Sequence, residues 1–121
     1  MFEFHKEISS EEIKELDDLV KSISELLGED FTIEIIDGTY QIDGNRLTLT
    51  FTIDEGMFEI RSIDTHGNSG TGSEIVDVIH EYADEHELSV MASNVVDSAR
   101  GFWEGMGYQE GSNDDEFFRP E

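Results

Sequence analysis

The chain lacks cysteine and long apolar runs, and each absence excludes certain classes of protein or site. Without cysteine there are no disulfides and no thiolate metal sites, which fits a reducing, cytoplasmic location. No apolar run approaches the roughly 20 residues that a membrane span needs. The first ten residues, MFEFHKEISS, contain no basic region leading into an apolar stretch. The sequence therefore predicts neither a membrane span nor a signal peptide.

Positive charge is also scarce. Seven lysines and arginines face 30 aspartates and glutamates, which gives a net charge of −23. Such a chain repels itself at low ionic strength, whereas at about 1 M salt the Debye length falls to roughly 3 Å. The even spread of acidic residues favours adaptation to a salty cytoplasm; an acidic mimic of nucleic acid is the alternative. Direct binding to DNA or RNA is disfavoured because no basic patch is present.

The residues that are present predict one domain with two kinds of periodicity. At 121 residues the chain is long enough for one modest core. Phe2 and Phe4 alternate as a first strand, and a capping box at Ser9 and Glu12 opens a helix that Gly28 ends. The apolar stripe of this helix is Ile13, Leu16, Leu19, Val20, Ile23, Leu26 and Leu27. From residue 31 the period changes to two, and turn signals at Asp37-Gly38, Asp43-Gly44 and Glu55-Gly56 predict an antiparallel meander.

The second half alternates helices and strands. Helical stripes are predicted over Ile75 to His86 and over Val96 to Met106, with the apolar strand LSVMA between them and EFFRP as a last strand. The order predicts an α/β sandwich with a mixed, mostly antiparallel central sheet and flanking helices. The acidic turns lack EF-hand spacing, and His80 has no partner at metal-ligand spacing, so no metal site is predicted.

A glycine-rich loop precedes the second helix. Gly67-Asn68-Ser69-Gly70-Thr71-Gly72 follows a predicted strand, and this context suits a loop that binds phosphate through backbone amides and the helix dipole. A Walker loop would need a lysine where Ser73 stands. The dinucleotide fingerprint has the reverse glycine spacing. A coenzyme A pyrophosphate loop and a plain connector without a ligand remain.

A second motif lies downstream of the loop. The strand LSVMASN is followed by ARGFWEGMGY, which supplies Ala99, Phe102, Trp103, Glu104, Gly107 and Tyr108. Taken with Gly70 and Gly72, this order resembles the GNAT superfamily of acyl-CoA-dependent N-acyltransferases. That family has a pyrophosphate motif ending in Gly-x-Gly or Gly-x-Ala, and later an Asn, an Ala and a Phe-Tyr-Glu followed by Gly-Phe. The match covers roughly residues 57 to 110.

The resemblance implies a coenzyme site. The strand FEIRSID should separate from LSVMA, so that the pantetheine arm of acetyl-CoA lies in the gap near the backbone of Ser62 and Ile63. The loop should hold the pyrophosphate, and Asn94 should reach the pantetheine. The expected coenzyme-binding residues are Ser62, Ile63, Gly67, Asn68, Ser69, Gly70, Thr71, Gly72, Ser73, Asn94, Phe102 and Trp103.

The resemblance further implies transfer of an acetyl group to a primary amine. Glu59 is the candidate base, and Tyr108 is the nearest tyrosine to the position of the family's usual acid, where this chain has Trp103 instead. Gly67 replaces the family's Arg or Gln. A GNAT-fold protein that binds acyl-CoA or a partner without turnover is the alternative. Family members often dimerise, so a homodimer is among the expected assemblies.

Overall fold

A computed structural model describes residues 10–66, 71–113 and 115–120, with the side chains of the first helix from Leu16 onward. This part of the chain contains three helices and one seven-stranded sheet. The elements are α1 (Ser10–Leu27), β1 (Thr32–Ile36), β2 (Thr39–Asp43), β3 (Thr48–Asp54), β4 (Met57–Asp64), α2 (Thr71–Glu85), β5 (Ser89–Ala92), α3 (Asp97–Gly105), β6 (Gln109–Glu110) and β7 (Phe117–Phe118).

The sheet has the strand order β1-β2-β3-β4-β5-β7-β6. The pairing of β4 with β5 is parallel, and the other described pairs are antiparallel. The α2 helix is the crossover that the parallel pair requires. The predicted class, α/β with a mixed and mostly antiparallel sheet, is confirmed. Among the described residues, none of the helices combines the length and the apolar character needed to cross a membrane.

The α1 helix forms where the apolar spacing predicts it. Leu16, Leu19 and Ile23 are buried, and Val20 and Leu27 pack partly against the core. Gly28 ends the helix with a φ of 71°, and its amide donates to the Ser24 carbonyl at 2.8 Å. The predicted strand at Phe2 and Phe4, Ser9 of the capping box, and the side chains of Glu12 and Ile13 lie outside the described residues.

The meander is built on two tight turns. Asp37 and Gly38 have φ values of 51° and 78°, and Glu55 and Gly56 have the same pair of values. Positive φ at both central residues is the geometry of a type I′ turn, whose twist matches that of the flanking strands. Both predicted turns are confirmed. At Gly44 the connection is longer, and its amide donates to the Leu47 carbonyl at 2.9 Å.

The core lies on the face of the sheet that carries Phe51 and Phe58. These two rings stack at 4.6 Å across β3 and β4, and Phe58 meets the edge of Tyr82 from α2 at 6.1 Å. Alternation along β3 and β4 places Leu49 and Ile60 on the same buried face. Because α1 packs beside α2, the two helices cover this face together.

Candidate functional site

A cleft lies where β4 and β5 stop pairing. Their parallel register runs from Met57 opposite Ser89 to Ile60 opposite Ala92, and the Ser93 amide then donates to the Ile60 carbonyl at 2.9 Å. The β4 strand continues to Asp64, whereas the other chain turns away into α3. No described strand covers this side of β4 beyond Ile60. The resulting cleft has a volume of about 730 Å³, and it lies at the predicted point of separation.

A β-bulge in β4 shapes one edge of the cleft. Thr50 of β3 faces Ser62, and Phe51 faces Ile60, so Arg61 is an extra residue on β4. A bulge bends its strand and increases the local twist. It therefore changes which side chains β4 directs toward the cleft just where β5 ends. Arg61 and Ser62 are both exposed and line the cleft.

Most of the cleft lining is apolar. Phe102 and Trp103 of α3 meet edge to face, with ring centroids 5.0 Å apart. Val96, the residue before α3, is 62% exposed at the cleft although it is apolar. The other apolar residues of the lining are Ile60, Ile63, Val95, Ala99 and Met106. Such a surface suits the apolar part of an organic ligand.

The start of α2 forms another edge. Thr71 begins the helix and is buried, and Gly72 and Ser73 line the cleft. A Cβ on Gly72 would lie 3.3 Å from Cε1 of Phe102, so glycine permits a close approach of α2 and α3. The helix dipole gives this edge a partial positive charge. Gly67, Asn68, Ser69 and Gly70, the rest of the predicted phosphate loop, lie outside the described residues.

Asn94 lies between β5 and α3 and lines the cleft with an exposed side chain. Its φ of 55° is in the left-handed region, which asparagine adopts more readily than most residues. This conformation turns the chain from the sheet into α3. Seven of the predicted coenzyme-binding residues thus line one cleft: Ser62, Ile63, Gly72, Ser73, Asn94, Phe102 and Trp103.

Glu59 lies behind the polar edge of the cleft. Its Oε2 atom accepts a hydrogen bond from Ser93 Oγ at 2.7 Å, and Nη2 of Arg61 is 3.5 Å from the same oxygen. Glu59 is not among the cleft-lining residues, whereas Ser93 and Arg61 are. The predicted base therefore contacts the cleft through these two side chains.

Tyr108 does not line the cleft, although a residue that donates a proton to a substrate there would have to do so. It is 4% exposed and is not among the lining residues. Its hydroxyl shares a hydrogen bond of 2.7 Å with Nε2 of His80, and its ring centroid is 4.9 Å from that of Trp103. Burial raises the pKa of Tyr108 well above its usual value. Tyr108 thus packs against Trp103 on the side away from the cleft. The structure does not favour Tyr108 as the acid that protonates the leaving thiolate.

His80, which shares a hydrogen bond with Tyr108, makes the stability of the folded protein depend on pH. Burial, followed by the nearby Arg119 charge, lowers the pKa of His80 below 6.5, while Asp77 and Asp84 act in the opposite direction. The folded state thus binds fewer protons than the unfolded state, so stability is lost as the pH falls below 6.5. We expect His80→Gln, which cannot titrate, to lose less stability than the wild type between about pH 7.5 and 5.

The expected difference is small because the imidazole is still partly solvated, so water screens the charge of its protonated form. Urea unfolding at both pH values, in about 2 M KCl to screen the other charges, measures it. A larger loss in the variant than in the wild type would contradict the assigned direction of the pKa shift.

His66 lies at the end of β4 next to the predicted phosphate loop. Its Nε2 is 3.0 Å from Oγ1 of Thr48, which in turn donates to Asp43 at 2.7 Å. The His66 amide donates to Asp64 Oδ1 at 2.9 Å. These contacts hold a residue with a φ of 51°. Within the described ranges, no cluster of three or more His, Cys, Asp or Glu residues is arranged to hold a metal ion.

Arg61, Ser93 and Val96 are among the cleft-lining residues that the sequence does not predict as part of the site. Arg61 is one of few cationic residues in an acidic chain. Its position at the cleft depends on the β-bulge, which no feature of the sequence predicts. Ser93 directly precedes the singled-out Asn94. The sequence predicts a helical stripe that begins at Val96, but in the structure Val96 precedes α3 and is exposed.

No family model matches the chain, and no curated protein matches it at a significant level of sequence similarity.

Proposed function

We propose that this protein is a GNAT-type N-acetyltransferase that moves an acetyl group from acetyl-CoA to a primary amine. The observation that carries the proposal is the apolar cleft between the separating ends of β4 and β5, with the start of α2 at its edge. It is the position at which the sequence resemblance places the coenzyme. The seven predicted coenzyme-binding residues that line the cleft support the proposal.

The cleft suits the pantetheine arm in size and chemistry. Its volume of about 730 Å³ lies within the usual range for organic ligands. Beyond Ile60, the side of β4 that faces the cleft has no described strand partner. A strand edge of this kind offers backbone N–H and C=O groups to the amides of a ligand. The backbone of Ser62 and Ile63 would bind the pantetheine amides, and Phe102 and Trp103 would cover its methylene groups.

The phosphates need positive potential in a protein of net charge −23. The start of α2 supplies a helix dipole at Thr71 and Gly72, which directly follow residues 67–70 in the sequence. Arg61 adds a guanidinium to the cleft lining. Backbone amides and one arginine would thus hold the anion at a lining that has no lysine among its described residues.

The chemistry requires positioning and proton transfer. The neutral amine attacks the thioester carbonyl carbon, the C–S bond breaks, and the amine loses a proton while the thiolate gains one. Placing the two reactants in one cleft supplies much of the acceleration. Glu59 is the base of the proposal, since its carboxylate contacts the cleft lining through Ser93.

Calorimetry with acetyl-CoA in about 2 M KCl tests the site. We expect binding with a Kd near 1 μM, which is about 8 kcal/mol. Thiol release with a panel of primary amines then tests transfer. Absence of acetyl-CoA binding would overturn the proposal.

Replacing Gly72 by alanine tests where the coenzyme lies. The new methyl group would lie 3.3 Å from Cε1 of Phe102, so this ring, which lines the cleft, would have to shift. We expect the Kd for acetyl-CoA to rise about tenfold, or about 1.4 kcal/mol, with no loss of thermal stability because alanine favours helix. The comparison is the same substitution in a Phe102→Ala background, where no ring is left for the new methyl group to displace, so Gly72→Ala should cause no further loss of affinity. A further loss of the same size in that background would contradict the ring-displacement mechanism.

A second candidate is a GNAT-fold protein that binds acyl-CoA without turnover. The placement of Trp103 in the lining, with Tyr108 behind it, favours this function because neither presents a hydroxyl to the cleft. Binding of acetyl-CoA without thiol release from any amine of the panel would support the second candidate over the first.

A further inference from the structure

Ser93 occupies the junction at which β4 and β5 part. Its amide donates to the Ile60 carbonyl at 2.9 Å, which fixes its backbone against β4 immediately after the last paired residues. Its Oγ donates to Oε2 of Glu59 at 2.7 Å. Ser93 therefore joins a carboxylate behind the cleft to the cleft itself.

We propose that Ser93 and Glu59 form a proton relay in which the Ser93 hydroxyl, rather than the carboxylate, contacts the acceptor amine. This inference rests on the proposed acetyl transfer. A hydroxyl has one proton to donate and two lone pairs that accept. Because the Ser93 proton points to Glu59, lone pairs remain for an N–H group of a substrate in the cleft.

Ser93 and Glu59 differ in their access to the cleft. Ser93 lines the cleft and Glu59 does not, so an amine in the cleft meets the hydroxyl first. The carboxylate is kept in place by Ser93 Oγ at 2.7 Å and by Arg61 Nη2 at 3.5 Å, both on Oε2. Two contacts on one oxygen restrict the rotation of the carboxylate and hold the acceptor of the Ser93 proton in a fixed position.

The proton balance of the relay is complete. As the amine nitrogen bonds to the thioester carbonyl carbon, its N–H proton passes to Ser93 Oγ while the hydroxyl proton passes to Glu59. When the C–S bond breaks, the thiolate takes a proton from Ser93, which regains one from Glu59. The products are the amide and the free thiol, and both side chains return to their starting states.

The relay explains how transfer can proceed without a tyrosine in the lining. The proton that the departing thiolate needs is the one that the amine has just released. Neither Trp103 nor Tyr108 is required as an acid. The relay also selects for acceptors with an N–H group that can reach Ser93.

The test compares Ser93→Ala, Ser93→Thr, Glu59→Gln and the double variant Ser93→Ala/Glu59→Gln. Each is assayed for acetyl-CoA binding by calorimetry and for thiol release with the best amine of the panel, in high salt. We expect Ser93→Ala and Glu59→Gln each to lower kcat about 100-fold, at the lower end for general base catalysis. The Kd for acetyl-CoA should stay within about twofold of the wild type.

Two readouts separate a relay from a structural role. The double variant should be no slower than the slower single variant, because removing either end already breaks the relay. Ser93→Thr keeps a hydroxyl and should restore most of the rate. Ser98→Ala, which removes an exposed hydroxyl from α3 outside the cleft, should behave as wild type.

The outcomes distinguish the relay from the function on which it rests. A wild-type protein that transfers acetyl groups, with Ser93→Ala retaining at least half of kcat, overturns the relay alone. Additive losses in the double variant also overturn it. A wild-type protein that neither binds acetyl-CoA nor releases thiol overturns the proposed function and the relay with it.

Discussion

We expect Phe58→Ala to lower the free energy of unfolding by about 3–5 kcal/mol, the usual cost of removing a buried phenyl ring. Phe58 is fully buried, stacks on Phe51 at 4.6 Å and contacts the ring of Tyr82 from α2. Its loss would leave a cavity between the sheet and the crossover helix. Urea unfolding in about 2 M KCl, followed by tryptophan fluorescence of Trp103, measures the change.

Phe102→Ala is the matched control because it removes the same atoms from a half-buried ring beside the cleft. It should cost clearly less stability, about 1 kcal/mol, since surface rings bury less area. It should nevertheless weaken acetyl-CoA binding. Equal losses of stability in the two variants would contradict the placement of the core on the Phe58 face of the sheet.

Lowering the salt concentration is expected to have the second large effect. Only seven cationic side chains are available to 30 carboxylates. Arg46, Arg61, Arg100 and Arg119 each already have a carboxylate within 4 Å. The remaining carboxylates repel one another once the Debye length grows from about 3 Å at 1 M to about 10 Å at 0.1 M. We expect the thermal midpoint to fall by about 10 °C or more, which is roughly 3 kcal/mol.

Differential scanning calorimetry in about 2 M and about 0.1 M KCl measures this shift, with sucrose at 0.1 M KCl as the control. Sucrose strengthens burial without screening charge, so it should restore less stability than KCl if repulsion is the cause. An unchanged midpoint between the two salt concentrations would contradict salt adaptation.

The elements of the fold were predictable because their signals are local. The helical spacing of Leu16, Leu19 and Ile23 and the positive-φ turns at Asp37-Gly38 and Glu55-Gly56 each depend on a few neighbouring residues. The structure places these features as the sequence predicts. The order of the strands across the sheet involves distant residues and was not predicted in detail.

The candidate site was predictable only where a motif marked it. Asn94, Phe102 and Trp103 stand in a recognisable segment, and all three line the cleft. Arg61 and Ser93 have no such marker, because their positions depend on a bulge and on the end of a strand pair. Tyr108 is a residue that a motif marks but that does not line the cleft. The spacing of aromatic residues does not distinguish a ring in the cleft from a buried ring such as Tyr108, which contacts His80.

The parallel pairing of β4 with β5 has a consequence for how the chain folds. The β1–β4 meander joins segments adjacent in sequence, whereas β4 and β5 meet across about thirty residues. Closing so long a loop costs entropy before any contact is gained, and topologies with distant contacts fold more slowly. Pairing within the meander therefore costs less loop-closure entropy than the pairing of the two strands that border the cleft. The cleft is thus built on the part of the sheet whose assembly requires the longer loop closure.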